Sequence, residues 1–363
     1  MKRAGSLGFY FTILFTFIIT AILLTEKQAF STQNSESNSP INAITVLVHQ
    51  GQFEQAVSEL KKAIRQDPNN ARIRSMLADI YFGQNKVREA AEAYQELLKR
   101  DKTNAQANNN LGILYLKQRK SQKAIAQFQS AIQKNPKLPD PYYNLGELAL
   151  ASGEFQIALD HFQKVRDFDP KYQSIHYKLG IVLGKLNELE KAAKEIETAI
   201  KEDPNNLQYK SDLGFLYLAR GNFAKAAKQF ERVLNQLPKS AVAQYGYGLS
   251  LKTRGKNEEA IQAFKKAIQL SPAFIDAHIA YGDLLTMLGR DGEAKAEYEQ
   301  VIQTYRPLLK ERENADGRLE LVKLLLKIGN KKEASEHLGR ILSSPNLDPK
   351  LHVQALALLE EFT

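Results

Sequence analysis

The sequence predicts an all-α chain of stacked helical hairpins, and three ladders of one period predict it. Alanine recurs at Ala56, Ala90, Ala124, Ala158, Ala192, Ala226, Ala260 and Ala294, each step being 34 residues. Proline recurs in the same register at Pro68, Pro136, Pro170, Pro204, Pro238 and Pro272, with Lys102 on the skipped rung. Small residues recur at Ala78, Gly112, Gly146, Gly180, Gly214, Gly248 and Gly282. Internal repetition of this length is the signature of a solenoid, in which each unit buries its apolar faces against its neighbours.

Within one unit, Leu111, Gly112 and Tyr115 recur at helical spacing, as do Ala124, Phe128 and Ala131 on a second segment. The link from Gln118 to Ser121 is short and polar, which makes a helical hairpin. Gly112 and Ala124 are expected where the two helices approach closely, and Phe128 and Tyr115 between neighbouring units. Pro136 ends the second helix, because proline cannot continue a helix and disfavours it in the residue before. Asp-Pro-Asn-Asn at 67–70 and 203–206 is a turn by its own chemistry. Gly51, Gly153, Gly221, Gly255 and Gly289 fall at hairpin turns.

The pattern resembles the tetratricopeptide repeat. That family's Leu-Gly-x-x-Tyr, Ala-x-x-x-Phe and terminal Pro stand here as Leu111-Gly112-Tyr115, Ala124-Phe128 and Pro136, and again as Leu213-Gly214-Tyr217, Ala226-Phe230 and Pro238. The early Trp of the family is absent, replaced by Arg74, Asn108, Tyr142, His176, Lys210, Gln244 and His278. The resemblance implies a right-handed superhelical solenoid. Eight units run in register from about 37 to 308, extra residues enter at Glu311 to Asp316, and a ninth unit carries Leu321, Leu325, Gly329, Ala334 and Leu338. The expected division is an N-terminal helix over 1–25, a linker over 26–40, about nine repeats over 41–346 and a capping helix over 347–363, opened by Asp348-Pro349.

The N-terminal expectation rests on an uncharged run from Leu7 to Leu24 behind Lys2 and Arg3. As a helix it spans roughly 27 Å, close to a bilayer's hydrocarbon thickness. It exceeds the usual core of a signal peptide, so a retained single-pass signal-anchor is expected, with the repeats exported to a periplasmic or extracellular side. Ala29-Phe30-Ser31 offers the alternative, cleavage and secretion. Residues 25–40, rich in Ser, Asn, Gln and Thr, read as a flexible tether.

Composition narrows the function. Hydrophobic residues at 43% and charged residues at 25% are ordinary for a folded protein. The absence of cysteine excludes disulfides, thiolate metal sites, cysteine nucleophiles and a lipidated-cysteine anchor. No Asn-x-Ser/Thr glycosylation signal is present, Asn38-Ser39 being followed by Pro40 where a Ser or Thr is required, which suits a bacterial envelope better than a eukaryotic secretory route. Lysines and arginines are scattered, so the net charge of +9 reads as a solvated surface, and no nucleic-acid partner is expected. The histidines, at 49, 161, 176, 278, 337 and 352, show no metal-ligand spacing, and His176 and His278 are expected to pack. With no phosphate-cradling loop or nucleophile elbow, neither catalysis nor a cofactor is expected.

Function is then expected on the face that the resemblance assigns to ligands. In similar proteins the first helix of each unit lines a concave groove through its second, fifth, sixth, ninth and twelfth residues. Here these include Asn110 and Asn144 at the sixth position, Tyr143, Tyr177 and Tyr245 at the fifth, and Ile113, Glu147, Ile181, Phe215 and Leu249 at the ninth. An asparagine at the sixth position can bond a bound peptide's backbone. The apolar residues either hold a helix or extended segment of a partner protein or pack on one another across adjacent units. The lysine and asparagine with which some relatives grip a C-terminal carboxylate are replaced by Asn109 and Ile113. The expected role is a scaffold in an envelope complex, for secretion, pilus biogenesis or polysaccharide export; the alternative is a regulatory partner of a separate enzyme.

Overall fold

The computed structural model describes residues 40–311, 314–344 and 347–360. Among them are nineteen helices and no strand. The expected membrane or signal helix lies outside the described residues; among those described, no helix is long and apolar enough to cross a membrane.

The chain divides into two compact units, residues up to 175 and residues from 176 onward. The first holds four hairpins: Pro40–His49 with Phe53–Gln66, Ala71–Gly83 with Val87–Arg100, Ala105–Lys117 with Ser121–Lys134, and Pro139–Ser152 with Phe155–Phe168. The second begins in the helix Ile175–Lys185, paired with Leu189–Glu202. It continues through Leu207–Ala219 with Phe223–Gln236, Ala241–Lys252 with Asn257–Leu270, Ile275–Met287 with Asp291–Glu311, and Ala315–Lys327 with Lys331–Leu342.

Every hairpin turn is closed the same way. One residue takes a positive φ: a glycine at 51, 153, 221, 255, 289 and 329, and Asn85, Arg119 and Asn187 in the other three. The amide after it reaches back to the carbonyl five residues earlier, as in Lys120 N–H to Tyr115 O at 2.9 Å and Asn222 N–H to Tyr217 O at 2.8 Å. This left-handed stop satisfies carbonyls that the helix end leaves open and reverses the chain at once. Several links between hairpins use side chains instead. Asn70, Asn104 and Asn206 each cap the next first helix, accepting the amides of Ile73, Ala107 and Tyr209 at 3.2, 2.9 and 3.3 Å.

The alanine ladder is the innermost layer: Ala56, Ala90, Ala124, Ala158, Ala192, Ala226 and Ala260 are 0% exposed. The glycine ladder makes room for a ring. A methyl group on Gly112 would lie 2.5 Å from Phe128 Cε1, and one on Gly146 2.7 Å from Phe162 Cε1. This corrects the placing of Phe128 between neighbouring units: its ring lies first over the glycine of its own hairpin. Phe230 does both, filling the space over Gly214 of its own hairpin and over Gly246 of the next.

Two features break the period. The helix Asp291–Glu311 runs through Pro307 for 21 residues where most second helices have 14. On the proline rung stands Arg306, whose guanidinium grips Glu333 of the following hairpin at 2.9 and 3.2 Å. The final helix, Pro349–Glu360, buries Ala355 and packs Leu351 and Leu358 on the core of the second unit, covering its last apolar face.

Candidate protein-binding face

The residues expected to meet a partner lie on the first helices, and each unit is considered by itself. In the first unit, Asn110 is buried and Ile113, Tyr143, Asn144 and Glu147 are half-buried. Asn110 Nδ2 donates to Tyr94 Oη at 2.9 Å, while its oxygen accepts from Gln106 Nε2 at 3.1 Å. Asn144 Nδ2 donates to Asn109 Oδ1 at 2.9 Å. The amides expected to meet a peptide backbone are thus already spent inside the fold, Asn144 tying its first helix to the one before and Asn110 tying its first helix to the second helix of the preceding hairpin. Tyr143 packs at 5.7 Å from Phe162 and 5.2 Å from Tyr172, whose hydroxyl donates to Asp140 at 2.8 Å.

In the second unit, Tyr177, Ile181, Phe215, Tyr245 and Leu249 are all half-buried. Tyr177 stacks on Tyr209 at 4.3 Å and donates its hydroxyl to Asp212 at 2.6 Å. Phe215 meets Phe230 edge-on at 4.9 Å and faces Tyr245 at 6.3 Å, and Tyr245 lies 5.1 Å from Phe274. The rings therefore pack across adjacent hairpins, as the second of the two sequence readings holds, and each still shows part of its surface to water. Contacts of this geometry add about 0.5–1.5 kcal/mol each beyond area burial and hold the rings in place.

Two carboxylates on this face were not singled out in the sequence. Asp79 and Asp283 occupy the ninth position of the second and eighth hairpins, where other units place Ile113, Ile181, Phe215 or Leu249. Each accepts the hydroxyl of a tyrosine that stands where other units have phenylalanine: Tyr94 to Asp79 at 2.5 Å, Tyr298 to Asp283 at 2.7 Å. Burial raises the Asp79 carboxyl above its usual range, against the pull of the Tyr94 and Ser75 hydroxyls. The sequence signal was a Tyr-for-Phe exchange matched by an Asp fifteen residues earlier, in both units.

Three of the residues in place of the early Trp have a shared task. Arg74, Tyr142 and His278 each donate to the carbonyl of the proline six residues before, at 2.8–2.9, 3.1 and 3.0 Å. His278 also places Nδ1 2.6 Å from Glu297 Oε2. An acceptor at both nitrogens favours the protonated ring, and the bond to Glu297 raises the group above the usual histidine range. His176 makes the equivalent contact with Glu195 at 2.7 Å. The packing expected of these histidines is thus packing with a carboxylate partner.

Repeated hairpins with a common closing turn, an alanine layer and a glycine-to-ring contact define a helical repeat protein. The chain belongs to the tetratricopeptide repeat family: one model of that repeat matches residues 47–109, 149–213 and 251–308, just over half of the chain, and two others match 211–273 and 93–126. Among solved structures, a tetratricopeptide repeat protein from Parabacteroides merdae is 22% identical, with a TM-score of 0.58 over 70% of this chain and 98% of that one. The C-terminal part of a TPR repeat-containing protein from Cytophaga hutchinsonii is 18% identical, with a TM-score of 0.52 over 62% and 93%. YrrB, a TPR protein with an unusual peptide-binding site, is 25% identical, with a TM-score of 0.49 over 52% and 97%. No curated protein matches the chain.

Proposed function

We propose that this chain is a non-enzymatic scaffold that holds a segment of a partner protein against its first-helix faces, tethered to or exported across a membrane by its N-terminus, in the assembly of an envelope complex. The carrying observation is the row of half-buried apolar side chains in register on the first helices of the second unit: Tyr177, Ile181, Phe215, Tyr245 and Leu249. Apolar area left in water is worth about 25 cal/mol per Å² when covered, so a row of partly covered rings favours a ligand that completes the burial. The rings are already stacked, which lowers the entropy cost of ordering them on binding. Support for the tether is the uncharged run from Leu7 to Leu24 behind two cations.

Exchange of Tyr143, Tyr177 and Tyr245 for leucine keeps apolar volume in the stacks. The triple variant is expected to retain wild-type helicity by circular dichroism and to release a defined partner that copurifies with the wild type. A folded triple variant that still holds that partner contradicts the assignment.

A further inference from the structure

The third hairpin carries no carboxylate. Between Asp101 and Asp140 lie seven lysines and arginines and no aspartate or glutamate, a charge of +7 where the whole chain has +9. Four of these cations, Lys117, Arg119, Lys120 and Lys123, surround its turn.

At four other turns a cation has an acidic partner. Lys86 meets Glu54 at 2.8 Å, Lys191 meets Glu188 at 2.5 Å, Lys256 meets Glu259 at 2.9 Å and Arg290 meets Glu293 at 2.7 Å. Arg119, Lys120 and Lys123 are exposed, and among the described residues no ion pair joins them to a carboxylate. Lys120 donates to Gln118 at 2.7 Å, the Lys123 ammonium lies 6.0 Å from the centre of the Tyr115 ring, and Lys117 donates to Asn85 at 2.6 Å.

This turn is costly to the fold in three ways. Arg119 holds a φ of +58°, where most other turns place glycine. Lys120 and Lys123 stand at the start of the helix Ser121–Lys134, whose first turn has no acidic residue, whereas Glu54, Glu190 and Glu258 begin others. Cations there oppose the helix dipole, and like charges repel. A turn that breaks several local rules at once, and whose cations gain within the fold only neutral hydrogen bonds and a ring contact, is where a ligand is expected to supply the compensation.

We propose that the turn of the third hairpin is a docking surface for an acidic segment of a partner polypeptide, with Arg119 forking onto one carboxylate and Lys120 and Lys123 meeting others. This rests on the scaffold reading and names the chemistry of the partner. A short acidic segment fits because the charge is confined to one hairpin. A flat anionic bilayer resting on neighbouring turns would meet Glu54 and Glu154. A nucleic-acid duplex needs a longer track of cations to displace its counterions.

The test uses the full chain and a fluorescein-labelled peptide of alternating glutamate and serine, with anisotropy as the readout. The peptide is expected to bind at low salt and to weaken roughly tenfold between about 50 and 200 mM salt. The triple variant Arg119→Gly, Lys120→Gln, Lys123→Gln is expected to bind roughly tenfold more weakly. A control that removes three cations from the second unit, Lys225→Gln, Lys228→Gln and Lys239→Gln, is expected to bind as wild type. Arg119→Gly alone is expected to weaken the peptide while raising the melting temperature by about 1–3 °C, which separates lost binding from lost folding. Equal losses in the triple variant and the control overturn the inference, as does duplex DNA or a phosphatidylglycerol vesicle that binds through the same three cations in preference to the peptide. A peptide that fails to bind a chain whose first-helix face still captures a partner overturns this inference alone.

Discussion

Phe230→Ala is expected to destabilise the chain by about 3–5 kcal/mol. The side chain is 0% exposed, so its whole apolar area is lost from the core. The vacated space is also hard to refill. It is walled by Gly214 of the same hairpin and Gly246 of the next, neither of which has a side chain to move inward. Phe215, edge-on at 4.9 Å, is near enough to relax, but it also packs against Tyr245 at 6.3 Å. Val242→Ala, at a side chain 48% exposed, serves as the comparison and is expected to cost well under 1 kcal/mol. Urea unfolding followed by circular dichroism measures both. A Phe230→Ala cost no larger than that of Val242→Ala contradicts the glycine-to-ring packing.

Tyr94→Phe is expected to cost about 1–3 kcal/mol, since it leaves the half-buried Asp79 carboxyl without its shortest hydrogen bond and the buried Asn110 amide without its acceptor. Asp79→Leu is expected to be close to neutral, because release of a carboxyl held against burial offsets the loss of the acceptor of the Tyr94 hydroxyl. It removes the half-buried carboxyl and installs the kind of residue that Ile113, Ile181 and Leu249 already supply at the same register. The Tyr94 hydroxyl keeps the bond it accepts from Asn110 at 2.9 Å. The double variant still leaves the Asn110 donor without the Tyr94 hydroxyl but no longer strands the carboxyl, so it is expected to be more stable than Tyr94→Phe alone, and the two changes are not additive. Burial favours the neutral form of Asp79, whereas in the unfolded chain it ionises near its ordinary 3.8. The contribution of Asp79 therefore falls as pH rises above that value, and the benefit of Asp79→Leu grows in the same direction. Chemical denaturation of the four proteins at acidic and neutral pH checks this. Additive costs, or a benefit that shrinks with rising pH, contradict it.

The scaffold was legible because close packing repeats with the chain. Ala226 and Gly214 must be small wherever a hairpin closes, and a residue of the wrong size there is costly, so the ladders show at sight. The direction of Phe128 was not legible, because a 34-residue period cannot separate a contact inside one hairpin from a contact with the next. Gly246 was missed for a related reason: it stands off the glycine ladder, and the Phe230 ring alone explains its size. The ten residues expected on the binding face do lie on first helices, but the sequence could not show that Asn110 and Asn144 spend their amide donors on Tyr94 and Asn109. The charge at the third hairpin escaped a reading that asked where cations cluster. Its signature is the lack of carboxylates between Asp101 and Asp140.

A photoreactive benzoyl-phenylalanine placed singly at Tyr143, Tyr177, Phe215 or Tyr245 nearly preserves the ring it replaces. Illumination of cells carrying each variant, with captured proteins identified by mass spectrometry, tests whether polypeptide binding resides on the first helices. The same defined partner is expected at these four positions and not at Lys191 or Lys228, which are exposed on second helices. Capture of that partner at the two lysines, with none at the four rings, would place binding on the opposite face and contradict the proposed function.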